Sequence, residues 1–332
     1  MRLVIPGQVP RPHLWRVLIA LALLIATVSG ARADSFSAWL AGVRQQAAAG
    51  GISAHTLDQA LGGLKPMQDV LEKERKQPEF TLTFEQYLAK VVTDKRVAKG
   101  REMMAQHGAL LEKVGAAFGV QPRFIVAFWG VESDFGQTTG GYPVVDALAT
   151  LAYGSARKNM FRKELLDALQ ILDQGHISIG LMTGSWAGAM GQCQFMPSSF
   201  RRYAVDFDGD GRRDIWTSQA DVFASIANYL ASLRWRADQN WGREVRLPAK
   251  FDARLIGLKT DRPIAEWQRL GLRGPDGAPL PKSDMRASLV APDGPRGKAY
   301  VVYPNYKIIM KWNRSTFFAT SVGLLADRVS GG

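Results

Sequence analysis

Glu132 is the residue of this 332-residue chain whose type and position most directly suggest chemistry. It closes the apolar stretch 121–136, in which Pro122 suits the first position of a helix and Gly136 suits its end. On a helix, Glu132 shares the buried stripe of Phe124, Ile125, Phe128 and Trp129. Burial disfavours the anion and raises the pKa of a carboxyl group, as a general acid near neutral pH requires. The alternative is a polar residue that only ends a core helix.

A second dense segment, residues 184–199, combines small, polar and apolar side chains. Its glycines allow a ligand to approach the backbone, Ser185 and Gln194 offer hydrogen bonds, and Met190 is part of its apolar surface. This composition suits a sugar site. Tight packing through small residues explains it equally well.

The third constellation is the acidic loop 206–216. Asp206, Asp208 and Asp210 stand at positions 1, 3 and 5 of a pattern with Gly211 at position 6, as at the start of an EF-hand calcium loop. The usual Glu at position 12 is replaced by Thr217. Three neighbouring aspartates repel each other without a cation, which favours an ion over a metal-free Asp/Gly turn.

The elements that must position these residues are mostly helical. Residues 36–118 read as helices, with Ser53 as one cap and an interruption at 77–80, and a helix over 221–230 is expected to open with Asp221 as its cap. After about residue 245, a strand, a turn and a strand are predicted at 287–290 and 298–303, and a last helix from near Ser315.

Residues 1–33 read as a secretory signal, with cleavage expected after Ala33. An uncleaved membrane anchor is the alternative, although the apolar run is short for a span. Export without an anchor predicts a periplasmic protein that is not stably bound to the membrane. The net charge is +12, or +8 without the four arginines of the leader, but no nucleic-acid-binding signature accompanies it. The single Cys193 excludes an intramolecular disulfide.

Three ordered motifs then carry a resemblance. Gly-Val-Glu-Ser-x-Phe-Gly at 130–136, the run from Ser185 to Ser199 and Ala-Asn-Tyr at 227–229 resemble the membrane-bound lytic transglycosylase B family, with further landmarks at 77–81 and 313–316. The resemblance implies a mainly α fold with a goose-type lysozyme-like core. It divides the chain into an N-terminal helical region (34–118), a catalytic core with the EF-hand-like loop (119–245), and a small β subdomain with a C-terminal helix (246–325).

The same resemblance implies cleavage of peptidoglycan between N-acetylmuramic acid (MurNAc) and N-acetylglucosamine (GlcNAc), leaving 1,6-anhydromuramoyl ends. It also implies that Glu132 is the single acid and base. The sequence agrees in one respect, because Asp134, two residues on, points away on a helix and is not an obvious second carboxylate. The implied substrate-binding residues are Ser185, Met190, Gln194, Asn228, Tyr229 and Asn313. Trp312 and Phe318 stand where the family commonly has tyrosines, so Phe318 receives no hydroxyl role. In the acidic loop, the resemblance adds Asp221 as the last ligand and the Arg212 carbonyl as the backbone ligand.

The cofactor expected is a structural, weakly held calcium ion, with no organic cofactor. The expected partners are glycan strands and other cell-wall enzymes, not nucleic acid, and the protein is expected to be a monomer. Within the enzyme class, the alternative is a hydrolytic muramidase. Outside it, the alternatives are a non-catalytic wall-binding protein, which the intact Glu132 motif disfavours, and a calcium-responsive binding protein, which leaves the segments around Glu132 and Ser185 unexplained.

Overall fold

The computed structural model describes residues 35–76 and 82–331, so the expected signal and the interruption at 77–80 lie outside the described residues. The chain divides between Pro66 and Met67 into two compact units. The domain boundaries expected at 118/119 and 245/246 both fall inside the second unit and stay an interpretation.

The first unit contains two described helices, α1 (residues 35–49) and α2 (Ala54–Leu61). Between them Gly51 adopts a left-handed φ of 90°, which ends α1. Ser53 caps α2, because its hydroxyl accepts a hydrogen bond from the Thr56 amide at 3.2 Å. The predicted cap is therefore confirmed.

The second unit is mainly helical and contains two small antiparallel sheets. Its elements in chain order are α3 (Gln68–Arg75), α4 (Phe84–Val91), α5 (Asp94–Gln106), α6 (Gly108–Phe118), α7 (Pro122–Ser133), β1 (Tyr142–Pro143), α8 (Val144–Gly154), α9 (Lys158–Asp173), β2 (Thr183–Gly184), α10 (Pro197–Tyr203), α11 (Gln219–Ser232), β3 (Gly242–Val245), a 3₁₀ turn (Ala253–Leu255), β4 (Gly257–Pro263), α12 (Ile264–Arg269), β5 (Arg286–Val290), β6 (Ala299–Val302), α13 (Pro304–Trp312) and α14 (Thr316–Val329).

Helix α7 is the centre of the helical core. Every residue from Phe124 to Gly130 is buried, because α5, α6, α11 and α14 all pack against it. The predicted apolar stripe is therefore one face of a helix that is enclosed on nearly all sides. Pro122 occupies the first turn as expected, and the helix ends where Asp134 and Phe135 turn left-handed, with φ of 50° and 59°.

Helix α11 begins earlier than predicted. Its N-cap is Ser218, whose hydroxyl accepts from the Asp221 amide at 3.3 Å, so Asp221 is not the cap. Asp221 instead lies in the first turn and is fully buried. Its carboxylate points away from the helix toward the acidic loop. Residue type alone does not distinguish an Asp that caps a helix from an Asp that bonds a neighbouring loop.

The predicted β region forms a four-stranded antiparallel sheet in the order β3, β6, β5, β4. The expected hairpin is confirmed, with Ser288 paired to Val302 and Val290 to Tyr300. The edge strand β3 ends at Val245, whereas the β subdomain is expected to begin at residue 246. The expected subdomain therefore leaves out one strand of the sheet. The sheet has its own apolar core, which includes Val245, Trp267, Leu289 and Val301.

The last helix begins as predicted, since the Ser315 hydroxyl accepts from the Phe318 amide and caps α14. It packs against α7 and α5 and so belongs to the helical core rather than to the sheet. Within residues 35–76 and 82–331, no single helix is long and apolar enough to cross a membrane. The pair α6 and α7 reaches that length and apolarity only together, and a bend of 108° separates them.

Candidate active site

Glu132 lies in the last turn of α7, and its side chain is partly exposed. Its Oε1 accepts a hydrogen bond of 2.6 Å from the indole N–H of Trp312, at the end of α13. Burial raises the pKa of Glu132 from 4.5 to about 8, and the bond from Trp312 opposes that rise. The carboxyl group is therefore protonated at neutral pH, as a proton donor must be.

An aromatic cluster surrounds the Trp312 indole. Its ring centre lies 4.5 Å from that of Phe128, 4.6 Å from Tyr229 and 5.1 Å from Phe195. This cluster brings Tyr229, predicted to bind substrate, to the neighbourhood of Glu132. The motifs do not indicate that Trp312 contacts Glu132, because Trp312 stands in the sequence only as a departure from the family pattern.

Tyr87 on α4 is a second residue that the motifs did not indicate. Burial raises the pKa of the Tyr87 hydroxyl, and the charge of Glu132 raises it further, while Arg96 lowers it. The phenol therefore lies within electrostatic range of the acid. No pattern in the sequence identifies Tyr87 as a neighbour of Glu132, because only the tertiary structure brings the two residues together.

The segment from β2 to α10 is fixed to the end of α7 by Gln192. Its side-chain oxygen accepts from the Trp129 indole at 2.8 Å, and its backbone carbonyl accepts from the Ser133 hydroxyl at 2.8 Å. The side-chain Nε2 of Gln192 also donates to the Trp216 carbonyl at 2.8 Å. These bonds hold the turn that follows Glu132, and no motif in the sequence indicates them.

The glycines of this segment serve close packing. A Cβ on Gly184 would lie 2.1 Å from the Ala189 carbonyl oxygen, and one on Gly191 would lie 2.7 Å from that of Ile215. Gly191 also has a left-handed φ of 61°. These two glycines therefore have a packing role, and the approach of a sugar to this segment stays a prediction.

The predicted polar residues of the sugar site hold their own backbone turns. The Ser185 hydroxyl accepts from the amides of Ala187 and Ala189 at 3.3 and 3.0 Å, which uses its lone pairs and leaves its proton to donate. The side-chain Nε2 of Gln194 donates to the carbonyls of Thr139 and Gly191, both at 2.9 Å. Their contact with a sugar stays a prediction.

The other predicted substrate-binding residues lie at different depths. Met190 is fully buried, so it packs beneath the segment. Asn228 is partly exposed and donates to the Tyr203 carbonyl at 2.9 Å. Asn313, directly after Trp312, is exposed, and its side chain accepts from the Ser315 amide at 3.0 Å. Phe318 is buried against Phe128, which fits the absence of a hydroxyl role.

Asp134 does not complete a carboxylate pair with Glu132. It accepts a hydrogen bond of 2.9 Å from Arg96 on α5, as the prediction that it points away requires. Burial raises the pKa of Glu132, the bond from Trp312 opposes that rise, and no second acid is among its causes. Cys193 is also unsuited to chemistry, since it is fully buried and burial raises the pKa of its thiol well above the usual value.

The acidic loop offers a set of oxygen ligands. One carboxylate oxygen from each of Asp206, Asp208 and Asp210 lies within 4.8 Å of the others. Gly211 has a left-handed φ of 89°, and its amide donates to Asp206 at 2.9 Å, which forms the sharp turn. These hard ligands fit calcium. Arg212 competes for one of them, since its guanidinium lies 2.9 Å from Asp210.

The carboxylate of Asp221 organises the loop from within. Its two oxygens accept from the amides of Phe207 and Asp214, both at 2.7 Å. Burial raises the pKa of this carboxyl, and the two amide bonds oppose the rise. Its role as a metal ligand stays a prediction, since both oxygens already accept backbone bonds.

A mainly helical fold with one partly buried, protonated carboxyl group beside an aromatic cluster is the arrangement expected of a lysozyme-like glycan-cleaving protein. The model of the Transglycosylase SLT domain family matches residues 35–327, and the chain belongs to that family.

Individual relatives agree. The chain is 33% identical over 248 residues to membrane-bound lytic murein transglycosylase B of Escherichia coli K12. The aligned region covers 74% of this chain and 66% of that relative, which is just under two thirds of its length. SltB3 of Pseudomonas aeruginosa in complex with NAG-NAM-pentapeptide superposes with a TM-score of 0.87 at 47% identity, over 90% of this chain and 80% of that one. The E. coli lytic transglycosylase Slt35 in complex with calcium gives 0.74 at 30% identity, over 87% and 92%. The mainly α, lysozyme-like fold is thereby confirmed.

Proposed function

We propose that this protein is a lytic transglycosylase that cleaves the β-1,4 bond between MurNAc and GlcNAc in peptidoglycan, with Glu132 as its single acid and base. The observation that carries the proposal is the state of Glu132. It is protonated at neutral pH because burial raises its pKa to about 8, and the acid nearest to it in sequence, Asp134, is engaged by Arg96.

One carboxyl group is sufficient for this reaction. Glu132 gives its proton to the glycosidic oxygen as the bond from C1 to that oxygen breaks and the N-acetyl oxygen of MurNAc bonds to C1, which releases GlcNAc with its hydroxyl. The resulting carboxylate then takes the proton of the muramoyl C6 hydroxyl as the C6 oxygen displaces the N-acetyl oxygen from C1. The product is a 1,6-anhydro ring, and no water is consumed. The N-acetyl group of the substrate takes the place of the second carboxylate of ordinary glycosidases, which is a recognised exception to the two-carboxylate scheme.

The relatives support this substrate and this product. SltB3 has solved complexes with NAG-NAM-pentapeptide and with NAG-anhNAM-pentapeptide. The second ligand contains the anhydro sugar that the proposed reaction forms. Ser185, Gln194, Asn228, Tyr229 and Asn313 are the residues proposed to hold the sugars next to Glu132, with Met190 supporting them from beneath.

The acidic loop is proposed to hold a structural calcium ion. A relative, Slt35, has a solved complex with calcium, and the three aspartates here supply the hard oxygens that this cation prefers. The Arg212 carbonyl and Asp221 are the further ligands proposed. Bound calcium would neutralise the loop and fix its turn beside α11, and the acid chemistry at Glu132 does not require it.

The protein is proposed to act in the periplasm as a monomer, after cleavage of its leader at Ala33, on glycan strands and alongside other cell-wall enzymes. A relative named as a membrane-bound murein enzyme supports a place at the cell wall.

The test is mass spectrometry of the fragments released from purified murein sacculi by the mature protein. Anhydromuramoyl ends, one water lighter than reducing ends, are the expected product. Glu132→Gln, which keeps the shape of the side chain, is expected to release nothing. Reducing ends would instead identify a hydrolytic muramidase. Binding of sacculi without release by the wild type would identify a wall-binding protein, and turnover by Glu132→Gln would refute the assignment of the acid.

A further inference from the structure

Trp312 stands at the end of α13, in contact with the acid but 180 residues away from it in the chain. Its N–H lies 2.6 Å from Oε1 of Glu132. The sequence motifs assign no role to this position. The bond therefore suggests a function for the indole that rests on the proposed function and extends it.

The packing around the indole holds its N–H in one orientation, toward Glu132. Phe128 on α7, Tyr229 on α11 and Phe195 in the segment between β2 and α10 contact the indole, with ring centres 4.5 to 5.1 Å away. Such contacts fix a large flat side chain at little further cost in conformational entropy. The donor is therefore preorganised toward the carboxyl group.

An indole nitrogen can only donate a hydrogen bond. The Glu132 oxygen that faces it must accept, and the carbonyl oxygen of a carboxylic acid accepts better than its hydroxyl oxygen. The proton of the acid is consequently placed on Oε2, the oxygen that does not face Trp312. One oxygen is reserved for the indole and the other for the substrate.

The bond also changes in strength during the reaction. It is a neutral hydrogen bond while Glu132 holds its proton, and it becomes charge-assisted, about twice as strong, once the proton has left. An interaction that strengthens as charge develops lowers the barrier rather than only tightening binding. The indole therefore favours proton release as well as orientation.

Charged side chains on the helices packed against α7 do not supply this function. Arg96 from α5 is engaged by Asp134, and Asp327 from α14 pairs with Arg123 at the opposite end of α7. The neutral titratable groups within electrostatic range of the acid are Tyr87 on α4 and Cys193 in the segment between β2 and α10, while Tyr229 on α11 contacts the Trp312 indole. Burial keeps these three groups neutral by raising the pKa of each.

We propose that Trp312 is a positioning residue for the reaction: its N–H holds Oε1 of Glu132, places the transferable proton on Oε2 and stabilises the carboxylate that forms when the proton leaves.

The test is Trp312→Phe, which keeps an aromatic ring and removes the N–H. The pH dependence of turnover on soluble, uncross-linked glycan strands and the ¹³C carboxyl titration of Glu132 are measured together. We expect kcat to fall about fivefold to tenfold with KM nearly unchanged, because the lost bond is stronger in the transition state. The alkaline limb of the profile and the carboxyl titration are both expected to move up by roughly 0.5 to 1 pH unit.

Trp235→Phe is the matched control. Its indole donates to Gln121 at 2.7 Å and packs on Phe124 at 4.8 Å, so the variant loses a similar bond at the other end of α7. It is expected to leave the pH profile unchanged. An unshifted profile and titration in Trp312→Phe, or the same shift in the control, would overturn the proposal.

If Trp312→Phe does not fold, site-specific replacement by 3-benzothienylalanine, in which sulfur replaces the N–H in a ring of the same shape, provides the same measurements. The same upward shifts support the proposal, and their absence refutes it. The carboxyl titration needs no turnover. If the wild type releases no anhydro product, the proposed function is refuted. If the wild type is active and the variant shows no shift in its pH profile or in its carboxyl titration, only this inference is refuted.

Discussion

The raised pKa of Glu132 implies that the acid destabilises the fold at alkaline pH. In the unfolded chain its carboxyl ionises near 4.5, whereas in the fold burial delays ionisation to about 8. Below 4.5 both states are protonated and the group costs nothing. As the pH rises from 4.5 to 8, the unfolded state loses its proton first, and the unfolding free energy decreases.

This difference corresponds to about 5 kcal/mol above pH 8, at 1.36 kcal/mol per pKa unit. Because the side chain is partly exposed, water solvates part of the carboxylate in the fold. We therefore expect ionisation to lower the unfolding free energy by about 2 to 4 kcal/mol. Glu132→Gln has no titrating group and keeps an oxygen that can accept from Trp312. It should therefore resemble the wild type in stability near pH 4 and exceed it progressively up to pH 9.

The assay is urea unfolding of both proteins from pH 4 to pH 9, followed by tryptophan fluorescence. Taking the difference at each pH removes the contributions of all other groups. Glu102→Gln, at an exposed carboxylate on α5, controls for the exchange of Glu for Gln. A difference between Glu132→Gln and the wild type that stays constant across this range would refute the reasoning.

Two further predictions concern the loop and the core. Calcium should raise the melting temperature of the wild type but not of Asp210→Ala, because that variant lacks one of the three clustered carboxylates; an equal effect of the substitution in chelator would indicate a metal-free turn. Gly323→Ala on α14 should cost about 1 to 3 kcal/mol of unfolding free energy, because the new methyl group meets the Trp241 ring, whose nearest atom is 2.2 Å from the added Cβ. Gly108→Ala, where the added carbon meets nothing within 4 Å, is the control, and equal losses in the two variants would contradict the packing argument.

The sequence by itself determined the features that depend on local spacing. Pro122 and Ser315 place the starts of α7 and α14 because helix starts follow from residue type within one turn. The hairpin of β5 and β6 follows from two β-rich runs around a turn, and the acidic loop from alternate aspartates with Gly211. Glu132 itself was identified at the end of an apolar helix.

Only the tertiary structure decided what surrounds Glu132. The bond from Trp312 joins residues 180 positions apart, and that of Gln192 to Trp129 joins residues 63 apart. Helical periodicity says which face of a helix is buried but not which distant side chain covers it. The same limit explains Asp221, whose residue type suggested a helix cap but whose carboxylate holds the loop. The proton-donating state of the acid depends on burial and on one distant donor, and both arise only when the helices pack.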